Sequence, residues 1–167
     1  MEIKNIKLLG GIGISLSLFS WFPIFGILSL LVGSISTFIA FWKISKIKPE
    51  EKIFKNAILG WFFAFLGGFF IVLTSIMTAS NNLGYMLLPW TIMAIFLGIS
   101  GNFYKKALYS ISKVFKEKLF KTAGDVIFFG SLGTIVLIGF FVIFIGWFVA
   151  AIAFFKLPDE IDIHLES

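Results

Sequence analysis

The chain contains neither cysteine nor arginine in 167 residues, and it has a single histidine. Without cysteine there can be no disulfide, thiolate metal site or cysteine nucleophile. Without arginine there is no planar, bidentate fork for phosphate or carboxylate, which argues against a dedicated phosphate pocket. All 14 basic residues are therefore lysines, a usage that an AT-rich genome explains. The lone His164 lies in the acidic tail PDEIDIHLES (158–167). One imidazole among scattered acids is tail solvation rather than a metal site. Charge of any kind is scarce, at 14% of residues.

What is present instead is apolar sequence, at 59% of residues with a mean hydropathy of +1.01. Runs such as 83–97 and 126–155 approach or exceed the roughly 20 residues that cross a hydrocarbon core of about 30 Å. They are apolar all round, whereas barrel strands alternate polar and apolar positions. The fold class expected is all-α: a polytopic helical protein of the cell membrane. A pI near 9.5 does not imply nucleic acid here, because the lysines flank membrane runs and read as topology signals. Glu2, Lys4 and Lys7 before an apolar stretch resemble a signal peptide. However, Gly10, Gly11 and Gly13 lie in its first turns and no small-x-small site precedes Pro23, so a retained helix is expected.

The chain repeats itself. Ile53–Gly67 laid on Leu119–Gly133 without gaps pairs Phe54, Lys55, Ala57, Phe62, Phe63, Leu66 and Gly67 with Phe120, Lys121, Ala123, Phe128, Phe129, Leu132 and Gly133. Ile24–Ser45 laid on Leu137–Pro158 pairs Gly26, Gly33, Ile39, Ala40, Phe41 and Lys43 with Gly139, Gly146, Ile152, Ala153, Phe154 and Lys156. Each unit opens at a lysine (Lys7, Lys55, Lys121) and closes on Phe-aromatic-Lys: 41–43, 103–105 and 154–156. Cytoplasmic loops carry the excess lysine. The lysines cluster at 4–7, 43–55, 105–121 and 156, and the turns between clusters (21–23, 80–84 and within 134–138) carry no charge.

This pattern predicts six transmembrane helices as three hairpins (about 6–45, 49–105 and 119–157) in one domain, 1–158. A basic amphipathic linker covers 104–121, an acidic tail covers 159–167, and both termini are cytoplasmic. The outer units allow only about 16 residues, or 24 Å, per helix. A four-span alternative with re-entrant hairpins therefore stays open.

Individual residues read mainly as packing. LGGIG (9–13) lacks the third glycine and the Gly-Lys-Ser/Thr of phosphate loops. Gly26, Gly33 and Ala40, then Gly139, Gly146 and Ala153, recur every seven residues, and Gly60, Ala64 and Gly68 every four. Such seams let helices approach closely in lipid, within the chain or in a homo-oligomer. Tyr104, Leu108, Ile111 and Phe115 form a helical stripe, with Lys105, Lys106, Lys113 and Lys116 facing elsewhere as candidate contacts for anionic headgroups. Pro49, Glu50 and Glu51 read as a helix start, Pro89 as a kink in the fourth span. Trp21, Tyr85 and Trp90 suit an outer aromatic belt. Asn102 stands where other units have alanine, a candidate interhelical hydrogen bonder. Asp125, the one acid inside a span, lies four residues after Lys121, so pairing with Lys121 is expected. The competing reading is a relay or ion site.

KLLGGIG (7–13), EKIFKNA (51–57), LFKTAG (119–124) and AFFKLP (153–158) resemble a family of small archaeal integral membrane proteins catalogued only as a domain of unknown function. The resemblance spans nearly the whole chain and implies a membrane location. It brings no catalytic or binding residue with it. The spans contain no His–carboxylate set, metal spacing or triad, so no enzyme, cofactor or metal is expected. The reading that follows is a membrane-embedded interaction or lipid-organising protein. A small transporter or channel built on pseudo-threefold repeats is the alternative.

Overall fold

The computed structural model describes residues 3–19, 26–78 and 83–159. These form α1 (Lys4–Leu18), α2 (Gly26–Ile47), α3 (Ile53–Thr78), α4 (Leu83–Phe115), α5 (Lys118–Leu132) and α6 (Ile138–Phe155), with 3₁₀ turns at Pro49–Glu51 and Gly133–Val136. No strand occurs among the described residues. Long runs of Leu, Ile and Phe satisfy every backbone group internally as helix, which is what an apolar solvent demands.

Consecutive helices pair as three hairpins, α1 with α2, α3 with α4 and α5 with α6. Neighbouring hairpins then meet through α2 and α3, through α4 and α5, and through α6 and α1. The path is a closed ring. Its closure is covalently remote but tightly made: the Ile3 N–H donates to the Asp159 carbonyl at 3.0 Å, and Lys7 Nζ meets Asp159 Oδ1 at 3.0 Å. Gly10 and Gly11 of α1 leave the space that the Phe154 and Phe155 rings of α6 occupy. Ile3 and Asp159 therefore sit at one end of the bundle.

That end also holds the principal core. Ile3 and Ile6 of the first unit, Phe41 and Ile44 ending α2, Ile53 and Ala57 opening α3, Leu108 and Ile111 late in α4, Phe120 and Ala123 opening α5, and Phe154 ending α6 are all fully buried. Away from the lysines the helices turn apolar side chains outward. Ile27, Leu28, Val72, Leu87, Ile138 and Phe141 are each more than half exposed.

The third hairpin turns within 134–138, as expected. Leu137 takes a positive φ of 60°, and Thr134 Oγ1 donates to the Ser131 carbonyl at 2.7 Å. A continuous helix from 120 to 155 does not form. Residues 21–23 and 80–82 of the other expected turns lie outside the described residues, while Leu83 and Gly84 open α4.

Five helices are long and apolar enough to cross a membrane. One of the five is α5 taken with its following 3₁₀ turn, Lys118–Val136, and the exception is α1, whose 15 residues span about 22 Å. Two local expectations are corrected. Residues 104–115 are not a separate interfacial helix but continue α4, which runs for 33 residues, about 50 Å. Only Lys116 and Glu117 separate α4 from α5, and the Glu117 side chain accepts the Leu119 N–H at 3.0 Å to cap α5. Pro49–Glu51 is a separate 3₁₀ turn, broken from α3 by Lys52 at φ 52°. Pro89 lies inside α4 and is buried.

Candidate functional site

The three Phe-aromatic-Lys closures are not equivalent in space. Phe41 and Phe154 point inward, with ring centroids 6.1 Å apart, and Phe120 meets Phe154 edge-on at 5.0 Å. The following aromatics, Trp42 and Phe155, are exposed, and Lys46 Nζ lies 3.5 Å from the Trp42 ring centroid. The second unit differs. Phe103 stacks on Phe63 of α3 at 5.7 Å, and Tyr104 turns toward Trp147 of α6 at 4.8 Å. Gly60 in α3 makes room for the tyrosine ring, which a Cβ there would approach to 3.0 Å.

Asp125 opens into the seam between α4 and α5. Its Oδ1 accepts from Tyr109 Oη at 2.5 Å and pairs with Lys105 Nζ at 2.9 Å. The expected partner, Lys121, instead lies over the Tyr109 ring at 5.6 Å. The intrahelical i, i+4 geometry lost to a cross-helix lysine because α4 presents Lys105 and Tyr109 one turn apart on the facing side. The Lys105 ammonium also stands 4.9 Å from the Phe128 ring centroid. Tyr109 escaped notice in the sequence. Its spacing of four from Lys105 was the available signal.

The other candidate headgroup lysines divide. Lys113 pairs with Glu51 Oε2 at 3.5 Å, and Ser110 Oγ donates to the Glu51 carbonyl at 3.2 Å. Both contacts fasten the 48–52 joint to α4. Lys106 and Lys116 are exposed and have no carboxylate partner among the described residues. Lys116 sits at φ 57° in the joint before α5.

Asn102 makes no interhelical hydrogen bond among the described residues. It lies at one end of an open groove of about 580 Å³ between α4 and the α5 region, whose other lining residues include Thr91, Ile95, Gly98, Phe128, Leu132 and Ile135. Interhelical bonding falls to neighbours. Ser100 Oγ donates to the Gly60 carbonyl at 2.7 Å, and Trp90 Nε1 to the Ile135 carbonyl at 3.2 Å. Trp90 thus pins the α5–α6 turn.

The glycine seams are mostly internal. Gly33 backs onto Gly13 and Ser17 of α1, and Gly146 onto Ile127 of α5. Ala40 and Ala153 are fully buried, while Gly26 and Ala64 are half-buried. Gly139 packs against Gly133 and Thr134. Gly68 faces open space, so the 60–64–68 face is not a continuous internal seam. No cluster of three metal-ligating side chains occurs among the described residues.

Long apolar helices in a closed ring, with the described ion pairs gathered at one end, define an all-helical protein of membrane-spanning type. The chain belongs to the family described as protein of unknown function DUF996, which matches residues 29–148. It is 32% identical over 176 residues to Uncharacterized protein MJ1644 of Methanocaldococcus jannaschii, covering 96% of both chains. The archaeal family of unknown function expected from the short motifs is thereby found. No solved structure matches the chain.

Proposed function

We propose that the protein is a multi-pass component of the cell membrane that organises anionic lipid or holds a membrane partner, and does not catalyse a reaction. Its lysine end faces the cytoplasm and collects anionic headgroups. The observation that carries this reading is the distribution of polar groups. Rings of Phe41, Phe120 and Phe154 fill the bundle interior at the lysine end. Many intramembrane hydroxyls bond their own helix: Ser17 to the Gly13 carbonyl, Thr37 to Gly33, Ser75 to Ile71 and Thr91 to Leu87, at 2.8–3.1 Å. Hydroxyls so engaged offer little to a passing solute. Lysines with no acidic partner, Lys106 and Lys116, meanwhile project where headgroups would lie.

A transport reading draws on one feature, the ring of three hairpins, which is a known transporter plan. Proteoliposomes separate the two. The protein is expected to retain anionic lipid through purification and to pass no more protons or solute than empty vesicles. A pH-driven flux that Asp125→Asn abolishes, with the protein still folded, would establish transport instead.

A further inference from the structure

The groove between α4 and α5 has a polar mouth and an apolar floor, and both helices contribute to each. On α4, Thr91, Ile95, Gly98 and Asn102 recur every three or four residues, so they share one face. The same face continues to Lys105 and Tyr109. On α5, Lys121 and Asp125 lead by the same spacing to Phe128, Leu132 and, in the following turn, Ile135. The floor is bare because Gly98 has no side chain. A Cβ there would meet only Leu132 Cδ2, at 3.4 Å.

Charge at the mouth is unbalanced. Two ammonium groups, Lys105 and Lys121, stand beside one carboxylate, Asp125, which Lys105 already neutralises at 2.9 Å. Lys121 Nζ lies 5.6 Å from the Tyr109 ring centroid, whereas Lys106 Nζ lies by the Phe103 ring, which stacks on Phe63 of α3. Lys121 has no ion-pair partner among the described residues. The Asn102 amide lies three residues below Lys105, about 4.5 Å deeper, with donors unused among the described residues. From Thr91 to Asn102 the floor runs about 17 Å, close to half of a hydrocarbon core of roughly 30 Å. An apolar channel one leaflet deep, topped by excess positive charge and a free amide, has the dimensions and polarity of a single lipid.

We propose that this groove binds one anionic membrane lipid. One hydrocarbon chain lies along Ile95, Gly98, Phe128 and Leu132. The headgroup phosphate accepts hydrogen bonds from Lys121 and the Asn102 amide. The site gives a location to the lipid-organising reading above and rests on it.

Native mass spectrometry of the full chain tests the site, with phosphatidylglycerol or phosphatidylcholine supplied in micelles. The wild type should retain one phosphatidylglycerol at collision energies that strip phosphatidylcholine. Ile95→Phe and Gly98→Phe fill the floor and should lose the retained lipid. Ile95 is 56% exposed, so the first of these tests the site even if Gly98→Phe does not fold. Lys121→Gln should lower the preference for phosphatidylglycerol roughly fivefold, as about 1 kcal/mol per lysine implies.

If the wild type retains anionic lipid but loses it only on neutralising Lys43, Lys46 and Lys48, the groove assignment falls and the lipid-organising reading stands. If the wild type retains none, both fall. A dimer without lipid that Ile95→Phe dissociates would give the groove to a second copy and overturn the proposal.

Discussion

Asp125, the acid that stands out in the sequence, is held by a tyrosine and a lysine of the neighbouring helix. The pair is a clamp between the second and third hairpins. Its side chains are 27% and 34% exposed, so solvent screens part of the interaction, and its rupture should cost less than a fully buried pair. Asp125→Leu alone leaves Lys105 beside the Phe128 and Phe129 rings without its counter-ion. It should lower stability by about 1–2 kcal/mol. The double change Asp125→Leu with Lys105→Leu should recover most of that loss, whereas pairing Asp125→Leu with Lys121→Leu should not. Unfolding in detergent, read as a double-mutant cycle, distinguishes the partners. A second residue-scale prediction concerns Leu137, held at φ 60° and 60% exposed. A side chain in that conformation costs about 1 kcal/mol that glycine avoids. Leu137→Gly should raise the melting temperature in detergent.

At the scale of elements, the first hairpin is set by the approach of α1 to α2 at Gly13 and Gly33. A Cβ on Gly33 would lie 2.5 Å from the Gly13 carbonyl oxygen and 2.6 Å from the Ser17 nitrogen. Both are backbone atoms of a helix and cannot swing aside. Overpacking typically costs about 1–3 kcal/mol, so Gly33→Leu should melt far below wild type in detergent. Ile35→Leu, at an exposed position, should be neutral. Gly68→Leu should also be tolerated, because nothing lies within 4 Å of the added carbon. The three positions separate internal seams from a small residue that merely follows the same spacing. Sequence periodicity identified the helices and most of these seams. It could not tell Gly60 from Gly68, since both fit the same four-residue repeat and only the neighbouring helix decides which is covered.

At the scale of the whole molecule, ring closure brings residue 3 to residue 159 and gathers the described ion pairs at the lysine end. The absence of cysteine makes the chain a direct background for labelling. Single cysteines at Lys48 and Val136, both exposed, should react with an impermeant reagent from opposite sides of the membrane. A cysteine at Lys4 should label from the same side as Lys48. Labelling of all three from one face would exclude the arrangement of hairpins across the bilayer.

Composition and lysine spacing were enough to determine the all-helical class, its membrane character and the hairpin plan. Each of these follows from a property that acts residue by residue: hydropathy sets the spans, lysine marks their ends, and small residues mark close approach. The turn within 134–138 was legible for the same reason. Contacts across the ring were not. The choice of Lys105 over Lys121 for Asp125, the inward turn of Tyr104, the extension of α4 through residue 115 and the groove beside Asn102 depend on which helix faces which. Helices related by a common pattern can be docked in many rotations at similar local cost, and only the packed tertiary structure selects one.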